Sequence, residues 1–350
     1  MALVFSGILL LSAFSAQASG DPAPGGKLNP ADVIIEHISD GHEFHFFTIG
    51  EFHATIPLPV ILYSPQVGRG WSIFMSSKFH HGHDAYNGYR LEHGKIHAVK
   101  EDGVTKDESV SVYDISLTRN VVQLFISIIL LIWIMTGIAA KYRRGEGTQK
   151  APKGLQNAIE PVITFVRDEV AKPNLGKKHL KYLPYLLTVF FFILINNLFG
   201  LMPGSANVTG NIAFTAMLGI ISFFVILFST NVHFWKHIFW PPVPHAVKPI
   251  LVPVELLGVF TKPFALIIRL FANMTAGHVI MLSFICLIFI FGEMSKALGY
   301  GASPLFIALV VFIYMIEILV AFIQAFIFTN LTAVFIGQAF EEAHHEEDHH

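Results

Sequence analysis

Two long apolar stretches near the C-terminus, Ile250–Phe291 and Pro304–Gly337, constrain this chain more than any other feature. Each is broken only by isolated polar residues. At ~1.5 Å per residue, the first would be a helix ~63 Å long and the second ~51 Å, against a hydrocarbon core of ~30 Å. Tilt absorbs only a modest excess of length. The two elements are therefore expected to lie strongly tilted, bend or run partly along the surface, and two long oblique helices make a broad wall suited to facing a large partner inside the membrane.

The rest of the chain fits the same class. Hydrophobic residues make up 53% and charged residues 14%, where soluble chains carry roughly a quarter charged residues. Apolar runs place spans at about 121–140, 185–202, 212–230, 250–291 and 304–339. Residues 155–171 carry Leu155, Ile159, Val162, Val166 and Val170 at helical spacing, with Gln156, Glu160, Arg167 and Asp168 between them. That pattern predicts an amphipathic helix lying at the interface. The fold class is therefore an all-α polytopic membrane protein. It has five membrane helices, the last two long and strongly tilted, one interfacial amphipathic helix, and a small β-rich extracytoplasmic N-terminal region.

That N-terminal region, residues 31–118, alternates β-favouring stretches such as HATIPLPVILYS and GWSIFM with turn residues. Residues 1–18 read as a signal peptide, ending in the small-x-small pattern Ala16-Gln17-Ala18 but lacking a basic start. Residues 19–30 are a linker, 119–340 the membrane domain, and 341–350 a polar cytoplasmic tail. Basic residues set the orientation. Residues 141–184 hold ten Lys/Arg and the next connection, PGSANVTGN, holds none. The positive-inside rule puts 141–184 and the C-terminus in the cytoplasm and the N-terminal region outside.

Several function classes fall away. No basic stripe with interleaved aromatics and no phosphate-cradling glycine motif points to nucleic acid or nucleotide. Cys286 is the sole cysteine, so neither an intrachain disulfide nor a thiolate metal cluster can form. His80-His81-Gly82-His83 lacks the spacing of a tetrahedral metal site and reads as a solvated loop. No cofactor site is expected.

The polar residues inside the apolar stretches carry the functional signal. Glu255, Lys262, Arg269, Asn273 and His278 sit on the first; Glu317, Gln324 and Asn330 sit on the second. An arginine near the bilayer centre costs ~2.5–3.5 kcal/mol on the insertion scale. The bland readings are an internal ion pair for Arg269, snorkelling for Lys262, and interhelical hydrogen bonds for Asn273 and Gln324. The layout says more. The two helices run in opposite directions. His278 lies nine residues, ~13 Å, past Arg269, and Glu317 lies seven residues, ~10 Å, before Gln324. If Arg269 and Gln324 share one depth, His278 and Glu317 share another, further outward. Glu255 lies fourteen residues before Arg269 on nearly the same helix face, toward the cytoplasm. Glu and His exchange protons when buried. Arginine does not, because its pKa stays above ~12. The arrangement reads as two half-channels separated by an arginine.

The run KPFALIIRLFANMTAGH (Lys262–His278) together with QAFIF (Gln324–Phe328) resembles subunit a of the F-type ATP synthase membrane sector. AIEPVITFV (158–166) and NNLFGLMPGSANVTGN (196–211) resemble that family's amphipathic helix and its second span with outer loop. The resemblance covers roughly residues 115–340. It implies that Arg269 is the essential arginine facing a carboxylate on the rotating c-ring, with Asn273 one turn on and Gln324 opposite. It implies that His278 and Glu317 form the outer half-channel pair, and that Glu255 belongs to the cytoplasmic half-channel. The partners implied are the c-ring, the peripheral-stalk b subunits, membrane lipid and transported H⁺, and this chain would itself be non-catalytic. A His/Glu pair favours H⁺ over Na⁺. The length of 31–118 and the histidine-rich tail depart from the family pattern. The competing class is an ion-coupled secondary transporter, which should show internal repeats and broken helices in matching halves; the sequence shows no repeat, and five unequal spans do not divide into halves.

Overall fold

A computed structural model describes residues 40–49, 52–66, 70–82, 84–92, 94–100, 102–147, 152–202, 204–230, 235, 238–240 and 248–341. The signal peptide, the linker, His81 and His83 as metal candidates, the side chain of Lys262 and the polar tail fall outside what it describes. Among the described residues five helical runs are long and apolar enough to cross a membrane: Arg119–Arg143, Leu155–Gly200, Ile212–Ser229, Lys248–Met294 and Lys296–Gln338. The chain divides into two compact units, and single helices contribute to both.

The first unit comprises Met1–Ile126, Asn196–Val208 and Thr275–Ile318. Its N-terminal part holds the strands. β1 (Glu43–Ile49) and β2 (Phe52–Pro57) form an antiparallel pair. β3 (Pro59–Ser64) lies between β4 (Gly70–Met75) and β7 (Tyr113–Asp114), both antiparallel to it. β5 (Tyr89–Glu92) and β6 (Lys95–Ala98) form a third antiparallel pair. The period-2 pattern of β3 explains its placement. Val60, Leu62 and Ser64 are fully buried while Pro59, Ile61 and Tyr63 turn the other way. Val60 and Leu62 pack with Phe79, Tyr89, Ile96 and Ala98 into a small core. The turn between β5 and β6 requires Gly94, whose φ is +77° and whose missing Cβ leaves room for the Asp40 carbonyl.

The strand region is tied to the first membrane helix, α1 (Arg119–Arg143). The Arg119 amide donates to the Gly41 carbonyl at 2.9 Å, and the Asn120 amide donates to Asp40 Oδ1 at 3.2 Å. Asp40 thus satisfies a donor that the helix start leaves open. His42, buried, donates through Nε2 to Asp114 Oδ2 at 2.8 Å.

The second unit comprises Ser127–Ile195, Thr209–Met274 and Leu319–His350. It is helical, and its core draws on every long helix: Leu131, Val170, Phe190, Leu218, Leu270 and Phe328 belong to one buried cluster. The amphipathic stretch begins as α2 (Leu155–Phe165) and passes through a π-helical turn, Val166–Ala171. It continues as α3 (Lys172–Leu175), four residues past the expected end, and stops at Gly176 with φ +49°. The π turn keeps Val166, Val170 and Ala171 buried and leaves Arg167 and Lys172 outside, both paired with Asp168. α4 (His179–Gly200) starts six residues before the apolar run suggested, and α5 is Ile212–Ser229.

The last two helices are α6 (Lys248–Met294), of 47 residues, and α7 (Lys296–Glu341), of 46. Residues 292–303, expected as a loop, are helical except for Ser295. Glycines explain the correction. A Cβ on Gly299 would sit 2.7 Å from the Gly292 Cα, so only glycine lets two helix ends close on each other this tightly. Phe306 of α7 then packs on Phe291 and Phe284 of α6, with ring centroids 5.7 and 6.1 Å apart, as an antiparallel pair requires.

Candidate functional site

Arg269 stands on α6 with its side chain turned away from the chain's own core. Leu266, Ile267, Leu270 and Met274 bury the opposite face of the helix. Gly219 of α5 fixes this seat: an added Cβ would collide with the Ile267 side chain. Ala265, Ala272 and Asn273 share the exposed face with Arg269. Among the described residues Arg269 makes no hydrogen bond and no ion pair. A permanent charge in an apolar helix, held outward without a counter-charge on its own chain, calls for one from elsewhere.

One turn from Arg269, Asn273 Nδ2 donates to Gln324 Oε1 at 2.9 Å. Gln324 is buried on α7, and its Nε2 atom has no hydrogen-bond partner among the described residues. The structure therefore brings Asn273 and Gln324 together, with Arg269 on the adjacent turn. A buried amide donor left open in an apolar setting costs roughly 1–3 kcal/mol, which favours an acceptor arriving from outside the chain.

In the first unit, His278 and Glu317 are both buried, at 5% and 8% exposure. Gly277, beside His278, is where the Glu317 carboxyl rests: any Cβ there would overlap it. Glu317 Oε2 is buried and finds no hydrogen-bond partner among the described residues. Tyr314, one turn earlier on α7, donates its hydroxyl to the Leu201 carbonyl at 3.1 Å and so holds this part of α7 to the end of α4. Glu255 stands by itself. It is exposed on α6, ~21 Å along the helix from Arg269 at ~1.5 Å per residue, and makes no ion pair among the described residues.

Residue-by-residue reading of the sequence passed over Gly277 and three buried polar residues, Gln123, Asn196 and Asn197. The adjacent asparagines inside FFILINNLFG were a usable signal, since amides are costly in an apolar run unless bonded. Gly277 gave none, because its importance depends on a side chain forty residues away. Asn330, a candidate from the sequence, accepts from Asn174 Nδ2 at 2.9 Å and so joins α7 to α3.

Two family models and several curated relatives match this chain. A family model described as "ATP synthase A chain" matches residues 121–337. A second, a domain of unknown function, matches 33–115. A protein of Chloroherpeton thalassium named "ATP synthase subunit a" is 46% identical over 243 residues, covering 68% of this chain and 71% of that protein. "ATP synthase subunit a 2" of Chlorobaculum tepidum is 36% identical over 338 residues, 95% of this chain and 80% of the relative. "ATP synthase subunit a" of Chlorobium phaeobacteroides (strain DSM 266) is 42% identical over 336 residues, covering 95% and 81%. With the family model spanning more than half of its length and relatives of this identity along nearly all of it, the chain belongs to the ATP synthase subunit a family.

Proposed function

We propose that this chain is the stationary proton-conducting subunit of a rotary ATP synthase, and that Arg269 separates two proton paths to and from a ring of carboxylate-bearing c subunits. One observation carries the reading: Arg269 is presented outward from α6 with no counter-charge among the described residues. A carboxylate on a neighbouring, moving subunit supplies that charge.

The chemistry follows from the residue types. A proton from the outer side passes His278 and Glu317, residue types that can take up and release a proton. It neutralises a ring carboxylate, and the neutral site can then face lipid without the cost of a bare charge. After nearly a full turn the site reaches the cytoplasmic path near Glu255 and releases its proton. Arg269 attracts the returning carboxylate and blocks direct leakage. Arginine suits this barrier better than lysine, because a desolvated lysine can shed its proton. Asn273 and Gln324 support the exchange: the open Gln324 Nε2 can donate to the ring carboxylate as it passes. Ala265 and Ala272 leave space for a partner helix to approach closely. Peripheral-stalk b subunits hold the chain static against the ring, the setting is a bacterial inner membrane, and nucleotide chemistry belongs to other subunits.

The test is a crosslink. In a Cys286→Ser background, Ala272→Cys in the assembled complex should crosslink to a cysteine beside the carboxylate of the ring subunit, and Lys95→Cys should not. Absence of the Ala272→Cys product in an intact complex would sink the proposal.

A further inference from the structure

The β4–β3–β7 sheet has two apolar faces. One meets the small core through Val60, Leu62 and Phe74. The other belongs to Pro59, Ile61 and Tyr63 of β3, their partners Met75, Ile73 and Trp71 on β4, and Tyr113 with Ile115 across β3 on the β7 side. This second face is open: Trp71 is 63% exposed, Ile73 71%, Tyr113 58% and Ile115 57%. An antiparallel sheet with one face on a core ordinarily turns polar residues outward on the other. Here none of the eight outward residues is charged. The aromatics form a continuous strip, with Tyr63 4.9 Å from Trp71 and 6.5 Å from Tyr113 between ring centroids. An apolar patch of this kind marks a docking surface.

Two observations identify the occupant as lipid. The first is tether length. β7 ends at Asp114 and α1 begins at Arg119, five residues on, a reach of at most ~18 Å fully extended. The connection is also held down. The Ile115 amide donates to the Ile61 carbonyl, the Ile61 amide to Ser116 Oγ, and the Arg119 amide to Gly41. The face cannot move far from the bilayer that α1 enters, and Phe125 near the start of α1 is itself exposed. The second is composition. Trp and Tyr with Ile and Met are what the headgroup–acyl boundary selects, because the rings are apolar bodies with one polar tip. The face has no charged side chain with which to set the register of a protein partner.

We propose that the outer face of the β4–β3–β7 sheet docks on the lipid interface, seating Trp71, Ile73, Met75, Tyr63, Tyr113 and Ile115 at the headgroup–acyl boundary. This depends on α1 crossing the membrane and is independent of the proton paths. The segment matched to a domain of unknown function is then a peripheral membrane-binding module next to the helical part of the chain.

The test uses the full-length chain, Cys286→Ser, in nanodiscs of phosphatidylethanolamine and phosphatidylglycerol. Single spin labels are placed at Ile73→Cys, Ile115→Cys and Lys95→Cys. Lys95 lies on β6 and turns away from the core that Ile96 and Ala98 enter, so it reports the opposite side. Labels at 73 and 115 should be reached by oxygen but not by an aqueous nickel chelate, at a depth of ~5–10 Å below the headgroup boundary. The label at 95 should be open to nickel. Ile73 is exposed, so Trp71→Ser with Ile73→Ser should leave the circular dichroism unchanged and shift the label at 115 toward nickel access. Nickel access at 73 in the nanodisc overturns the proposal. Exclusion of both probes at 73 also overturns it, since the face is then covered by protein: the chain's own first residues, a second copy or another subunit.

Discussion

Arg269 and Glu317 are both charged residue types on long apolar helices, yet the molecule treats them in opposite ways. Arg269 is turned outward and has no partner among the described residues; Glu317 is buried, its carboxyl seated on the backbone at Gly277. The difference follows from their chemistry. A guanidinium keeps its charge in any protein setting, so burying it without a partner costs several kcal/mol, while presenting it to a second chain leaves it available. A carboxyl can be neutral or charged, so burial suits it to holding and passing a proton. In the proposed function, one residue is the fixed charge and the other the proton carrier.

Breaking each side of this comparison should have graded effects. Arg269→Glu would place like charges at the proposed interface with the ring, and proton-driven ATP synthesis in membrane vesicles should fall by ~10²-fold or more, the scale of losing a preorganised charge. Glu317→Gln keeps shape and removes the carrier; proton uptake should drop by ~10²-fold, with Glu317→Asp recovering part of it. Gly277→Ala sharpens the comparison further, since it leaves every titratable group in place. The new methyl displaces the Glu317 carboxyl at an overpacking cost of ~1–3 kcal/mol, and synthesis should slow about tenfold with the complex assembled. Gln324→Leu removes the acceptor of Asn273, at ~1–3 kcal/mol for the open amide, and should slow synthesis several-fold, less than either charge change.

The smallest effect belongs to the strand region. Burial pushes the Asp114 carboxyl up, but the bonds from His42 and Ser116 outweigh that and hold it below the usual carboxylate range. A folded-state pKa below the unfolded value of ~3.9 means the His42–Asp114 tie adds stability above that pH and loses it as pH falls through the lower folded value. Hydrogen exchange at residues 42–44 and 113–120 should therefore quicken below about pH 4 and be quicker in Asp114→Asn at neutral pH.

Much of the helical part was legible in advance because its signals are local. A run such as Ile212–Ser229 can only be a helix in lipid, and Arg269 stands out against its neighbours by cost alone. Glycine contacts were not legible. Ser295 as the whole connection between α6 and α7 depends on Gly292 meeting Gly299, and loop-like composition misled there. The seat of Glu317 at Gly277 and the outward set of Arg269 against Gly219 likewise arise from absent side chains that distant residues fill. The strands were visible as β-favouring stretches. That one sheet has two apolar faces emerged only from its register, which pairs Tyr63 with both Trp71 and Tyr113.

The most direct test is Arg269→Ala in the purified, assembled complex reconstituted in liposomes with an imposed proton gradient. ATP synthesis coupled to the gradient should vanish while the subunit composition and ATP hydrolysis by the detached catalytic head stay normal. Coupled synthesis persisting in that variant would contradict the role given to Arg269.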